Sequence, residues 1–166
     1  MSRRLVVFSL LALLFVAVSA QAKTFAPAGF GFSVNMPGKP QHNESTHKSF
    51  VGAVQENSYT VKSGSASYTA SVSDLPGMAV ALGGSNTILS KAKEGLLKES
   101  GGSELSFEKI SLAGSEGREL TYSLPSGGIG KARLYLVEKR LYVIVGSGPK
   151  ATSAAIDRFV NSFKLQ

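Results

Sequence analysis

The chain of 166 residues has no cysteine, no tryptophan, two histidines and two aspartates. Without cysteine there are no disulfides, no thiolate nucleophile, no zinc ribbon and no iron–sulfur ligation. His42 and His47 are the only imidazoles available for metal or base chemistry. Charged residues are also scarce, at 17%, while the hydrophobic fraction of 43% is ordinary for a globular chain. That balance excludes wholesale disorder. The length suits one domain and leaves little room for two independent cores.

The N-terminus carries a separate message. Arg3 and Arg4 make a short positive leader, and residues 5–18 are then apolar apart from Ser9. Ser19, Ala20, Gln21 and Ala22 follow, with small residues where a signal peptidase needs them. This order predicts a signal peptide over residues 1–22, cleaved between Ala22 and Lys23. The apolar run falls short of the roughly 20 residues needed to cross a bilayer. No cysteine follows it, which excludes a lipoprotein anchor. The expected product is a single domain over residues 23–166 carrying a formal charge of +5. It is expected to be exported to the periplasm or outside the cell, with no transmembrane segment.

Within that domain a period of two dominates. Phe30, Phe32, Val34 and Met36 share a face until Pro37-Gly38 stops the strand. Residues 40–47 are polar and read as an edge strand or loop, and residues 56–62 as a strand. Residues 66–73 alternate most cleanly: Tyr68, Ala70 and Val72 face one way, Ser67, Thr69, Ser71 and Ser73 the other. One buried and one wet face indicate an antiparallel sheet.

A helix is expected from Ser85 or Asn86 to about Ser100, with Ile88, Leu89, Ala92 and Leu96 inward and Gly101-Gly102 as its stop. Four strands should follow, near residues 104–112, 118–124, 131–137 and 141–145. In the first, the apolar phase slips between Leu105/Phe107 and Ile110/Leu112, which predicts a bulge near Glu108-Lys109. Residues 152–163 close the chain with a helix through Ile156, Phe159, Val160 and Phe163. Strands, helix, meander, helix predicts an α+β fold, a mainly antiparallel β-sheet flanked by two amphipathic helices.

Catalytic motifs fail on inspection. Residues 126–131 lack both the leading glycine and the trailing Ser or Thr of a phosphate loop, since Pro125 and Ala132 stand there. Ser106 and Lys109 have serine–lysine spacing but fall on a strand, and Ser147 with Lys150 fall in a Gly/Pro turn. His42 and His47 lie five apart in an extended segment, which sends them to opposite faces. No catalytic residue, metal ligand or cofactor is expected. The lysines and arginines are dispersed without an aromatic–basic motif, so nucleic acid is not an expected partner.

Two features stand out. Met78 to Leu82 is an apolar segment between glycine-containing turns, either tucked over the core or forming a lip for a partner or ligand. Arg118, Tyr122, Arg133, Tyr135 and Tyr142 fall on three successive strands that can gather guanidinium and aromatic groups. Parity puts Arg118 with Tyr122, and Arg133 with Tyr135.

Three stretches carry a family resemblance: Phe30-Gly-Phe-Ser-Val-Asn-Met-Pro-Gly-Lys-Pro40, Gly114-Ser-Glu-Gly-Arg-Glu-Leu120 and Arg133-Leu-Tyr-Leu-Val-Glu-Lys-Arg-Leu-Tyr-Val143. With the final Ser162-Phe163-Lys164, they resemble secreted bacterial domains of the Mog1/PsbP class. That resemblance implies an antiparallel sheet flanked by helices and a non-enzymatic interaction module, since members of the class act as accessory or binding proteins in photosystem assembly or on a small GTPase. The functional expectation is an exported accessory domain that binds an unknown envelope protein or a small ligand. Two alternatives stand beside it: a modest hydrolase using Ser or Glu with Arg118 or Arg133, and a carrier for an apolar molecule at the segment bounded by Met78 and Leu82.

Overall fold

Two antiparallel sheets organise the chain. The computed structural model describes residues 22–49 and 52–166, with the side chains of His47, Ser49, Met78, Ala79 and Leu82 outside the description. Apart from Ala22, the expected signal peptide lies outside the described residues.

Strand β1 (Lys23–Phe25) pairs with β2 (Phe32–Met36), where Phe32, Val34 and Met36 are buried as their alternation requires. Next come β3 (Gln41–Ser49), β4 (Gly52–Ser63) and β5 (Ala66–Asp74), an antiparallel meander with β3 at the sheet margin. The polar segment read as an edge strand or loop is therefore an edge strand.

Helix α1 spans Gly77–Ser100 but is interrupted at Gly84, whose φ of 65° and ψ of 156° are not helical. Only glycine enters that region without strain. The expected start near Ser85 is thus a kink, and Met78 to Leu82 is helical rather than a loop. Pro76 is the N-cap of α1, with a non-helical ψ of 134°, and no side chain caps the helix there. Gly101 ends α1 in the left-handed region, as expected.

Strands β6 (Ser103–Leu112), β7 (Ser115–Ser123), β8 (Ile129–Val137) and β9 (Arg140–Gly148) form the expected meander. Because β9 returns beside β5, the seven strands lie in the order β3-β4-β5-β9-β8-β7-β6. The β6 irregularity falls between Glu104 and Ser106, whereas Glu108 and Lys109 are regularly paired with Glu119 and Arg118. The apolar slip has another cause: Phe107 packs with the core under α1, while Ile110 and Leu112 pack with the core on the other face.

After a 3-10 turn at Lys150–Thr152, α2 (Ser153–Asn161) precedes β10 (Lys164–Leu165), which pairs with β2. Helix α2, β2 and one face of the large sheet enclose Phe32, Val34, Tyr68, Ile144, Ile156 and Phe159. On the opposite face, Leu89 of α1 packs on Leu120, Ala132 and Leu134 of β7 and β8. Each Val, Leu, Ile or Phe among them contributes about 1.5–3 kcal/mol on burial. The helices thus lie on opposite faces, and α1 sits over the β7–β8 half of its own.

Candidate functional site

The half of that face not covered by α1 is where a site forms. Register sets its composition: Glu56 opposes Ser73, Ser58 opposes Ser71, and Thr60 opposes Thr69. Ser71 and Thr69 in turn oppose Val143 and Val145 of β9. The sheet surface therefore passes from hydroxyls to aliphatic groups as it approaches the helix. Between this floor and Ala92, Gly95 and Leu96 of α1 runs a groove of about 830 Å³, within the range of small-molecule sites.

The hydroxyls differ in how far they are engaged. The Thr60 and Thr69 Oγ1 atoms are 2.9 Å apart and hydrogen-bonded, and Ser58 Oγ donates to the Asn43 carbonyl at 3.3 Å. Ser71 and Ser73 are each 7% exposed and make no side-chain hydrogen bond among the described residues; because no fully buried side-chain oxygen there lacks a partner, both hydroxyls reach the groove surface. On the helix side, Lys91 is held by Glu94 at 2.7 Å. Glu99 and Tyr122 also line the groove. Burial, with the Glu99 charge second, pushes the Tyr122 phenol up to about 12.

The sequence-predicted site residues do not meet in one patch. Parity holds as expected, but it sends Arg118 and Tyr122 to the α1 face and Arg133 and Tyr135 to the other, because Arg118 pairs with Leu134 and Arg133 with Glu119. Arg118 is buried, donating to Glu116 Oε1 at 2.9 Å, to the Gly117 carbonyl at 2.9 Å and to Asn86 Oδ1 of α1. Arg133 Nε donates to Glu119 Oε2 at 2.7 Å, while Lys131 reaches Asp157 of α2 at 2.6 Å. That hydrogen bond to Asp157 holds the Lys131 ammonium above its ordinary pKa. Tyr135 and Tyr142 oppose each other across β8 and β9, both against the ring of Phe163. Met78 and Leu82 lie on the first segment of α1, Ala22 just before β1, and Lys23 at its start.

His42 stacks on Tyr59 with ring centroids 4.6 Å apart, and its Nε2 lies 2.8 Å from Asn57 Oδ1. Among the described residues no group of three or more His, Asp or Glu is placed to hold a metal ion. No helix among them is long and apolar enough to cross a membrane.

The groove residues were visible in the sequence only as the wet face of β5. Their signal was the kind of polarity: Thr69, Ser71 and Ser73 are hydroxyls throughout, with none of the lysine or glutamate usual on a solvated strand.

No protein-family model matches the chain, and no curated protein matches it. Among solved structures, the chain is similar to cyanobacterial PsbP (CyanoP) from Synechocystis sp. PCC 6803, with a TM-score of 0.60 and 13% identity over 94% of this chain and 99% of that one. A Pseudomonas aeruginosa protein of unknown function aligns with a TM-score of 0.42 and 8% identity, over 69% of this chain and 88% of that one. The antiparallel sheet, its two helices and the near-complete overlap with the cyanobacterial protein give this chain a PsbP-like fold.

Proposed function

We propose that the chain is an exported accessory domain that binds rather than transforms its ligand, using the groove between α1 and the β4–β5–β9 surface. The observation that carries this reading is the pair Ser71 and Ser73, nine-tenths buried on the groove floor without side-chain hydrogen bonds. A hydroxyl that reaches the groove surface without a protein partner retains its capacity to bind a ligand. Export follows from the leader pattern of residues 1–22, and the accessory role accords with the PsbP-like fold.

The test places a photoreactive benzophenone side chain at Ala92 in the full coding sequence, expressed in intact cells. Gly95 lines the groove and has open space at its Cβ position, so Gly95→Trp directs a large side chain into it. The expected result is a discrete adduct at position 92 that disappears in Gly95→Trp. No adduct, or one indifferent to Gly95→Trp, overturns the reading, as does turnover by the purified protein that one groove substitution abolishes.

A further inference from the structure

We infer that the occupant of this groove is an uncharged oligosaccharide segment, an assignment that rests on the binding reading above. The floor selects for it chemically. All backbone donors and acceptors beneath the groove are committed to the ladders joining β4, β5 and β9, so recognition falls to side chains. Those side chains are mainly hydroxyls, each of which donates one hydrogen bond and accepts two. Such a surface suits a ligand whose own groups do both, which is the property of a sugar hydroxyl. A peptide strand presents fixed donors and acceptors and needs a free sheet edge, and the floor is the interior of a sheet.

The remaining groups point the same way. Val143, Val145 and Leu96 form an aliphatic flank beside the hydroxyls, matching the C–H face of a pyranose ring next to its polar edge. Charge disfavours anionic ligands: Glu99 lines the groove, and Lys91, the one lysine among its described lining residues, is already paired with Glu94. A carboxylate or phosphate would meet the like charge of Glu99. An apolar chain would strand the Ser71 and Ser73 hydroxyls, each at a desolvation cost.

The experiment is a two-dimensional amide NMR titration of protein expressed from the full coding sequence. The probes are maltotetraose, cellotetraose and chitotetraose, each up to about 10 mM, a range that captures weak binding. Tetragalacturonate, a sugar chain with carboxylates, is the charged comparison. At least one neutral sugar is expected to produce saturable shifts at Ser58, Thr69, Ser71 and Val143. Tetragalacturonate should bind it at least fivefold more weakly. Ser71→Ala and, separately, Thr69→Val should each weaken the neutral sugar by about fivefold, in line with one lost hydrogen bond. Dispersion of the variant spectra verifies folding, and Ser73→Ala substitutes for either one that fails to fold. The inference is overturned if no neutral sugar moves the groove amides, if tetragalacturonate binds equally well, or if the hydroxyl deletions change nothing. Persistence of the position-92 adduct in that event rejects the sugar alone, and its absence rejects the groove as a binding site.

Discussion

The phenol end of Tyr122 covers its cross-strand partner Gly130, so closely that any Cβ at position 130 would collide with the ring. Gly102 flanks the same ring, where a Cβ would lie 2.7 Å from Cδ2. The Gly117–Tyr135 pair repeats the device on the opposite face of the sheet, with a Cβ at Gly117 only 2.7 Å from Cε1. In both pairs the aromatic ring shields a glycine that would otherwise weaken the strand.

Gly130→Ala should therefore destabilise the protein by about 1–3 kcal/mol, the range for overpacking a filled core. Urea unfolding would measure it, and the double variant Gly130→Ala with Tyr122→Leu should recover part of the loss. Additive losses would count against ring contact as the cause.

Alkaline titration offers a second measurement. Tyr122 is held up to about 12 by burial and then Glu99, and burial also raises Tyr59 and Tyr135. An unfolded tyrosine ionises near 10. The phenol form is thus favoured by folding, so the contribution of Tyr122 to stability is complete below pH 10 and disappears as pH rises from about 10 to 12. Absorbance of phenolate near 295 nm should show a late step, and Tyr122→Phe should remove it.

Long periodic stretches made most of this fold legible. The alternation of residues 66–73 and the Ile156, Phe159, Val160, Phe163 spacing each specify one buried face, and the structure buries those faces. Strands β1 and β10, at three and two residues, are too short to show a period and exist because β2 offers them its edges. The helical character of Met78 to Leu82 was hidden by Gly83-Gly84, which reads as an end although the chain only kinks there. The groove was the least legible feature. Whether a wet sheet face meets open solvent or the flank of a helix depends on β9 inserting beside β5, a pairing between distant segments that local pattern does not encode.

The C-terminus is held by a clasp that also depends on such pairing. Lys164 and Leu165 pair with Ser33 and Phe32, the Gln166 amide donates to the Gly31 carbonyl at 2.9 Å, and Tyr142 Oη donates to the Phe30 carbonyl at 2.8 Å. Deleting residues 164–166 should free β2 along one side and cost about 2–3 kcal/mol, two or three hydrogen bonds at ~1 kcal/mol each. Tyr142→Phe should cost about 1 kcal/mol. Amide exchange should quicken first at residues 31–34, and unchanged exchange there would refute the clasp.

The link between α1 and the sheet is the contact on which the groove depends, and Arg118 is its polar component. Arg118 is 6% exposed, and its guanidinium divides its donors among Glu116, the Gly117 carbonyl and Asn86. Asn86 lies two residues beyond the Gly84 kink, so this bond ties the second segment of α1 to β7 just where the helix changes direction. Removing Asn86 alone leaves a buried cationic donor short of one acceptor, whereas removing both partners leaves none unsatisfied. A double-mutant cycle with Asn86→Ala and Arg118→Met should therefore give a coupling energy of about 1–2 kcal/mol, as expected for contacting residues. The single Asn86→Ala change should cost about 1–3 kcal/mol. If Arg118 served a ligand instead, Arg118→Met would leave stability nearly unchanged and the coupling would vanish. Urea denaturation of the four proteins separates the two outcomes.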